Sequence, residues 1–144
     1  MWTVRTLLMA AMFVAPFQAR AQTCNGSEDT QASRSIARAT SVVALQEVAR
    51  KFPGCMAGGG IAEEVSGKVA SVLSIHWRTS LAQVSQGTSG KEVEAFVLRN
   101  LNETDASEDL KRVLDHARHN CPAQFVRSCK RIEHAAKAAL DGAG

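Results

Sequence analysis

The sequence predicts an all-α fold, a single small helical bundle of four to five antiparallel helices stapled by two disulfides. Apolar residues recur at spacings of three and four along most of the chain, and no stretch alternates polar and apolar residues as a strand does. The predicted helices are joined by short connections, which favour antiparallel neighbours. The chain also carries four cysteines, and residues 22–144 are long enough for one domain with a buried core.

The N-terminal residues have the three parts of a cleavable secretory signal. A short segment carries one cation, Arg5, and an apolar run follows from Leu7 to Phe17. Ala19 and Ala21 then supply the small side chains that a signal peptidase accommodates. Because a helix needs about twenty apolar residues to cross a bilayer, this run is too short for a stable membrane anchor. We therefore expect a signal peptide over residues 1–21, cleavage near Ala21, and a periplasmic or secreted domain.

Charge and composition after cleavage exclude several classes of partner. Cleavage removes Arg5 and Arg20 from the 17 Lys and Arg residues and none of the 14 Asp and Glu residues, which leaves a nearly neutral domain. A neutral domain is not expected to bind nucleic acid. The chain has no Tyr and few other aromatic residues, so it offers few rings for stacking on sugars or bases.

The first half of the domain predicts a polar arm and two long helices. Residues 22–33 are polar and are expected to be irregular, and the first helix is expected over 33–52, ended by Pro53-Gly54. A glycine-rich turn follows. The second helix is expected over 61–86, with Gly87 as its stop.

The second half predicts three further helices. Ser89 and Glu92 have the spacing of a capping box, in which each side chain bonds to the other residue's backbone, and so predict the start of the third helix. Residues 102–105 interrupt the apolar pattern, and the fourth helix is expected over 105–120. Pro122 ends that helix and suits the first turn of the fifth.

The cysteines predict two structural disulfides. An even number of cysteines in an exported chain favours disulfide pairing, and the four are Cys24, Cys55, Cys121 and Cys129. Their spacing lacks the close pairs typical of zinc sites. The connectivity stays open. Pairing Cys24 with Cys55 requires the chain to fold back along the first helix, pairing Cys121 with Cys129 requires a turn, and crossed pairing is also compatible with the sequence.

Three histidines are candidates for chemistry. His76 falls within the apolar stripe of the second helix, so we interpret it as a half-buried histidine at the core edge, bonded to a backbone carbonyl rather than acting as a base or ligand. His116 and His119 are three residues apart and could share a metal, but the His-Glu-x-x-His pattern is absent and we interpret them as part of a solvated face. No serine-nucleophile motif occurs. We therefore predict no catalytic residue, no metal and no cofactor.

The absence of a catalytic pattern favours a non-catalytic module that binds another exported protein, such as an inhibitor or immunity-type protein for a secreted effector. In architecture alone, such a domain resembles the periplasmic immunity proteins that inhibit wall-degrading effectors, although no residue motif links the two. Two loops are the candidate partner-binding segments, and their residues are Gly58, Gly59, Gly60, Gln86, Gly87 and Lys91. The alternative function is that of an envelope-stress or chaperone-like periplasmic protein, ahead of a metal-binding protein or enzyme.

Overall fold

The computed structural model describes residues 23–142, and this part of the chain is helical without any strand. The all-α class is therefore confirmed, whereas the expected number of four to five helices is too low. The predicted signal peptide lies outside the described residues. Seven α-helices and two short 3-10 helices are present in 23–142: α1 Gly26–Arg38, α2 Val42–Lys51, 3-10 Pro53–Met56, α3 Gly60–Ile75, α4 Trp77–Ser85, α5 Gly87–Asn100, α6 Ser107–His119, 3-10 Ala123–Phe125 and α7 Val126–Gly142.

The first predicted helix is two helices, and the polar arm before it is part of α1. The side chain of Asn25 accepts hydrogen bonds from the backbone of Ser27 and Glu28 at 3.1 and 3.0 Å, and Glu28 returns a bond to the Asn25 backbone. This capping box starts α1 seven residues before the expected position. The Ser41 hydroxyl then accepts from the Ala44 backbone N–H at 3.1 Å, which starts α2 in a new direction.

The second predicted helix is also divided, at His76. This residue has a non-helical backbone, with φ −114° and ψ 42°, although no glycine or proline is present at the break. The tertiary contacts of Trp77 account for it. The indole is 4% exposed and donates to the Asn120 carbonyl at 3.0 Å, so the chain bends to bring this ring into the core. Because of that bend, Ile75 and His76 both point to solvent.

The third predicted helix begins earlier than expected, and its first turn is formed by different residues. Gly87, predicted as a stop, does follow the end of α4 at Ser85 with a positive φ of 57°, and it is also the first residue of α5. No side chain caps α5, so the predicted capping box of Ser89 and Glu92 is wrong. Gly90 packs directly on the end of α4, since a Cβ at this position would lie 3.0 Å from the Val84 carbonyl oxygen.

Helix α3 lies at the centre of the bundle, in contact with α1, α2, α4, α5 and α6, while α6 and α7 form a hairpin that covers one side. The core is aliphatic. Its largest completely buried side chains are Leu45, Leu73, Leu81, Leu110 and Ile132. In the described part of the chain, no helix is both long enough and apolar enough to span a bilayer.

The two predicted disulfides are confirmed, and their pairing is Cys24–Cys55 and Cys121–Cys129. The turn between α1 and α2 reverses the chain and so brings Cys24 back to the 3-10 helix that follows α2, with the two Cα atoms 4.6 Å apart. Cys121–Cys129 closes the connection between α6 and α7. Two disulfides are compatible with an exported protein.

Candidate functional site

Two adjoining clefts lie along α2. The first has a volume of about 810 Å³ and lies between α2, α3 and α5, and the second, of about 380 Å³, lies between α2, α4 and α5. The clefts share three lining residues: Gln46, Arg50 and Glu92. We call the two clefts together the α2–α5 groove. At one end it is bordered by the 3-10 helix Pro53–Met56, and at the other by the corner between α4 and α5.

Gln46 is the most unusual side chain of the groove. It is 8% exposed, yet it forms no side-chain hydrogen bond with any other residue in 23–142. Most buried side-chain polar atoms in proteins have a hydrogen-bond partner, and an amide can make up to four such bonds. The amide atoms of Gln46 keep access to the water of the clefts. Gln83, which lines the second cleft, differs, because its side-chain carbonyl oxygen is buried without a partner. Both amides thus have hydrogen-bonding groups that the described chain leaves unused.

A salt bridge crosses the groove. The Arg50 guanidinium on α2 lies 2.5 Å from the Glu92 carboxylate on α5, and the two side chains are 59% and 62% exposed. Pairs this exposed contribute about 0–1 kcal/mol to stability, so the bridge opens at little cost. Arg99, about two helical turns after Glu92 on α5, lines the first cleft, and no carboxylate of residues 23–142 lies within 4.0 Å of it. Arg50, Arg99 and Glu92 therefore leave one positive charge in excess in the first cleft.

A fixed polar wall closes the first cleft at the end of α5. The Ser66 hydroxyl donates to Asn100 Oδ1 at 3.2 Å and accepts from Asn102 Nδ2 at 3.0 Å. The Asn100 side chain also donates to the Phe96 carbonyl at 2.8 Å. These bonds hold both amides in one orientation, so the wall is organised before any ligand arrives.

Asp105 holds the turn that carries this wall, although it does not line the groove itself. Its side chain accepts from the Asn102 backbone N–H at 3.1 Å, and its other oxygen is buried without a partner. The pKa of Asp105 is raised to about 6: burial raises it most, the hydrogen bond from Asn102 lowers it, and the nearby carboxylates of Asp109 and Glu103 raise it by smaller amounts. Asp105, expected as the first residue of the fourth helix, is buried before α6 begins, and the acidic residues in the first turn of α6 are Glu108 and Asp109.

The predicted partner-binding loops lie at the ends of this groove. All six of their residues are exposed: Gly58, Gly59, Gly60, Gln86, Gly87 and Lys91. Gln86 lines the second cleft, and the three consecutive glycines lie between Met56 and Ala62, which both line the first. That these loops contact a partner stays a prediction.

The sequence analysis missed Gln46, although a signal was present. Val42, Leu45 and Ala49 form the apolar stripe of α2, and position 46 belongs to the same stripe at the spacing of four from Val42. A glutamine at a stripe position is a polar group that the fold must bury. Whether such an amide finds a partner depends on neighbouring helices, which the local sequence does not specify.

The histidines do not form a site. His76 is exposed, so its expected place at the core edge is wrong, and the bend before Trp77 is the reason. His116 Nε2 donates to the Ser74 carbonyl at 3.1 Å, and its ring stacks on Trp77 with 5.7 Å between centroids. His119 points elsewhere and bonds to Asp115 at 2.9 Å. No three His, Cys, Asp or Glu side chains among residues 23–142 are placed to hold a metal ion together.

Comparison of this chain with protein-family models, with curated proteins and with solved structures finds no match. Functional inference for this protein therefore starts from the groove and its side chains.

Proposed function

We propose that this protein is an exported, non-catalytic module that binds another exported protein, and that a segment of this partner occupies the α2–α5 groove. The observation that carries the proposal is the amide of Gln46, which lines both clefts, forms no side-chain hydrogen bond within residues 23–142, and reaches the water of the groove. The rest of this residue is buried, so that only 8% of it is exposed. A ligand can therefore bond to an amide that the packing of α2 holds in place, so the site is suited to binding.

The groove is suited to a peptide segment rather than to a reacting small molecule. A peptide backbone alternates one N–H donor and one carbonyl acceptor, which is the complement of a side-chain amide. In the described residues, we find no nucleophile next to a base along the groove. Binding without chemistry is the action of a stoichiometric inhibitor, so the proposed role is that of an inhibitor or immunity-type protein for a secreted effector.

The disulfides support the proposed location. Cys55 belongs to the 3-10 helix Pro53–Met56, which borders the first cleft, and is joined to Cys24. This border of the groove therefore depends on an oxidised pair, which persists in the periplasm or outside the cell.

Site-specific photo-cross-linking in the exported fraction of the source cells tests the proposal. A photoreactive residue replaces Gln86, which is exposed at the groove, and in a matched control it replaces Ala138, which is exposed on α7. We expect one exported protein to be cross-linked from position 86 and not from 138. The second variant, Gln46→Met, should abolish that cross-link, and the identified partner should bind the purified wild-type protein in a 1:1 complex.

Two results would contradict the proposed function. One is the same set of cross-linked proteins from both positions, which would indicate random encounters. The other is a specific partner whose cross-link is unchanged by Gln46→Met, which would place binding outside the groove.

A further inference from the structure

We infer that the partner segment is acidic: an extended peptide whose carboxylate binds Arg50 and Arg99 while its backbone bonds to the amide of Gln46. This inference rests on the proposed function and specifies the chemistry of the ligand at the same groove. It rests on the charge balance of the first cleft, on the hydrogen-bond donors of its wall, and on the unpaired amides.

The charges of the first cleft favour an anion. Arg50 and Arg99 both line it, and Glu92 is the one carboxylate among its described lining residues. Glu92 is 62% exposed and held by a single pair, so a carboxylate from the partner can replace it on Arg50 or bind Arg99 directly. The planar guanidinium presents a fork of N–H donors that matches a carboxylate, which makes arginine the residue suited to this recognition.

The polar wall offers donors and few acceptors. Asn100 Oδ1 already accepts from Ser66, and Asn102 Oδ1 already accepts from the backbone and hydroxyl of Thr104. Each of the two amides donates one hydrogen bond within the fold. Because a side-chain amide has two N–H groups, each retains one donor for a ligand. The ligand that fits a donor-rich wall carries acceptors, as a carboxylate does.

The rest of the groove fits the backbone and apolar side chains of the same peptide. Gln46 and Gln83 line the second cleft with amide groups that the described chain leaves unused. Two carboxylates, Glu47 and Glu92, and one cation, Arg50, also line this cleft, so it suits the N–H groups of the peptide backbone, and the carboxylate of the peptide belongs in the first cleft. Met56 and Phe96 line the first cleft as an apolar floor, where an aliphatic side chain of the peptide can pack. Successive side chains of an extended peptide point to opposite sides of its backbone. An acidic residue and an apolar neighbour can therefore contact different parts of the groove while the backbone between them bonds to Gln46.

An NMR titration of the isotope-labelled wild-type protein tests the inference. The probe is the capped peptide Gly-Leu-Glu-Val-Glu-Gly, and the matched control peptide has glutamine in place of both glutamates. We expect the glutamate peptide to shift the side-chain amide signals of Gln46 and Asn100. The glutamine peptide should bind roughly tenfold more weakly, because charge-assisted hydrogen bonds are about twice as strong as neutral ones.

Three variants sharpen the test. Arg99→Gln should weaken binding of the glutamate peptide severalfold, whereas Arg34→Gln, at an exposed position on α1 outside the groove, should leave it unchanged. Glu92→Gln should strengthen binding, since it removes the carboxylate that competes for Arg50. A role of these residues in folding alone would not produce opposite changes in affinity from Arg99→Gln and Glu92→Gln.

The inference is overturned if both peptides shift the groove signals with equal affinity, if neither shifts the signal of Gln46, or if Glu92→Gln weakens binding. None of these results decides the proposed function, because the cross-link from position 86 and its loss in Gln46→Met do not depend on the charge of the partner. A specific cross-link together with equal binding of the two peptides would retain the protein-binding function with a neutral partner segment.

Discussion

Buried polar side chains in this protein fall into two groups by their pairing. Glu94 is 6% exposed, and its carboxylate lies 2.5 Å from the Arg131 guanidinium, which joins α5 to α7. Asp105 has a partner for one oxygen and its other oxygen is buried without one, whereas Gln46 has no partner in the described chain but its amide reaches the water of the groove. The buried oxygen of Asp105 reduces stability unless a proton satisfies it, and the amide of Gln46 remains available to a ligand.

Asp105 makes stability depend on pH. Its pKa is raised from 3.8 to about 6 in the fold, so between these values the fold keeps a proton that the unfolded chain releases. The stability contributed by this proton is fully present below about pH 4 and is lost as the pH rises through about 6. We predict that Asp105→Asn, which stays neutral, gains roughly 2–3 kcal/mol in free energy of unfolding relative to wild type between pH 4 and pH 7.

Urea unfolding of both proteins at the two pH values measures this difference. Glu64→Gln is the matched control, since Glu64 is exposed on α3. The difference in free energy of unfolding between this control and wild type should change little with pH. If the difference between Asp105→Asn and wild type were also the same at pH 4 and pH 7, burial would not hold the proton on Asp105.

At the scale of single residues, the sequence predicts which apolar side chains are buried more reliably than how polar ones are paired. Val65, Val69 and Leu73 recur at a spacing of four within the predicted second helix, as one buried stripe does, and all three are buried. The exposure of His76 and the burial of Asp105 could not be predicted in the same way. Both depend on where Trp77 and the turn before α6 meet other helices, and these contacts are absent from the local pattern.

At the scale of helices, apolar periodicity predicts segments but not their breaks. Apolar residues recur at spacings of three and four from Ile36 to Phe52, through the turn at residues 39–41, so one helix was expected where two exist. Thr40-Ser41 was the available signal, because such residues are favoured at helix starts. No comparable signal marks the break at His76, where the packing of Trp77 overrides a helix-compatible sequence. The interruption at residues 102–105, in contrast, was expected and is present.

Two glycines within helices should respond oppositely to alanine. In Gly90→Ala, the new Cβ would meet backbone atoms of Val84 and Ser85 at 3.0 Å, and backbone cannot move as a side chain can. We expect a net loss of about 1 kcal/mol in free energy of unfolding, as crowding outweighs the better helix propensity of alanine. Gly67→Ala on α3 meets nothing within 4 Å and should gain about 0.5–1 kcal/mol.

Chemical denaturation of the two variants beside wild type measures both effects. Equal gains in Gly67→Ala and Gly90→Ala would mean that α4 and α5 approach each other less closely than the structure shows.

At the scale of the whole molecule, the disulfides connect segments that helix packing alone leaves loose. Cys24–Cys55 closes a loop with a sequence separation of 31 and ties the start of the described chain to one border of the α2–α5 groove, whereas Cys121–Cys129 spans 8 residues within the α6–α7 hairpin. The sequence predicted that two disulfides exist but left their pairing open. Cys24 pairs with Cys55 because the chain reverses direction between α1 and α2, and the spacing of apolar residues did not predict this reversal.

Removing the disulfide that closes the longer loop should lower the free energy of unfolding by the larger amount. In the chain-entropy model the cost of losing a disulfide rises with loop length, to roughly 4 kcal/mol for Cys24–Cys55 and roughly 2.5 kcal/mol for Cys121–Cys129. The double variants Cys24→Ala/Cys55→Ala and Cys121→Ala/Cys129→Ala, unfolded in urea without reductant, measure these values. A larger loss for the shorter loop would indicate that the α6–α7 connection stabilises the fold by more than chain entropy.

Gln46 matters at all three scales. It is a single side chain, it lies where α2 meets neighbouring helices, and it lines the groove that we propose for binding. The free energy of unfolding of Gln46→Met tests this most directly. Methionine keeps the size and helix propensity of glutamine and removes the amide. If the amide has no partner within the fold, the variant is as stable as wild type or more stable by up to about 1 kcal/mol, because an apolar side chain fills the same largely buried position. The control Gln31→Met, exposed on α1, changes stability by less than about 0.5 kcal/mol. A loss of about 1 kcal/mol or more in Gln46→Met would contradict this, because it would show that the amide already has a partner within the fold and is not held free for a ligand.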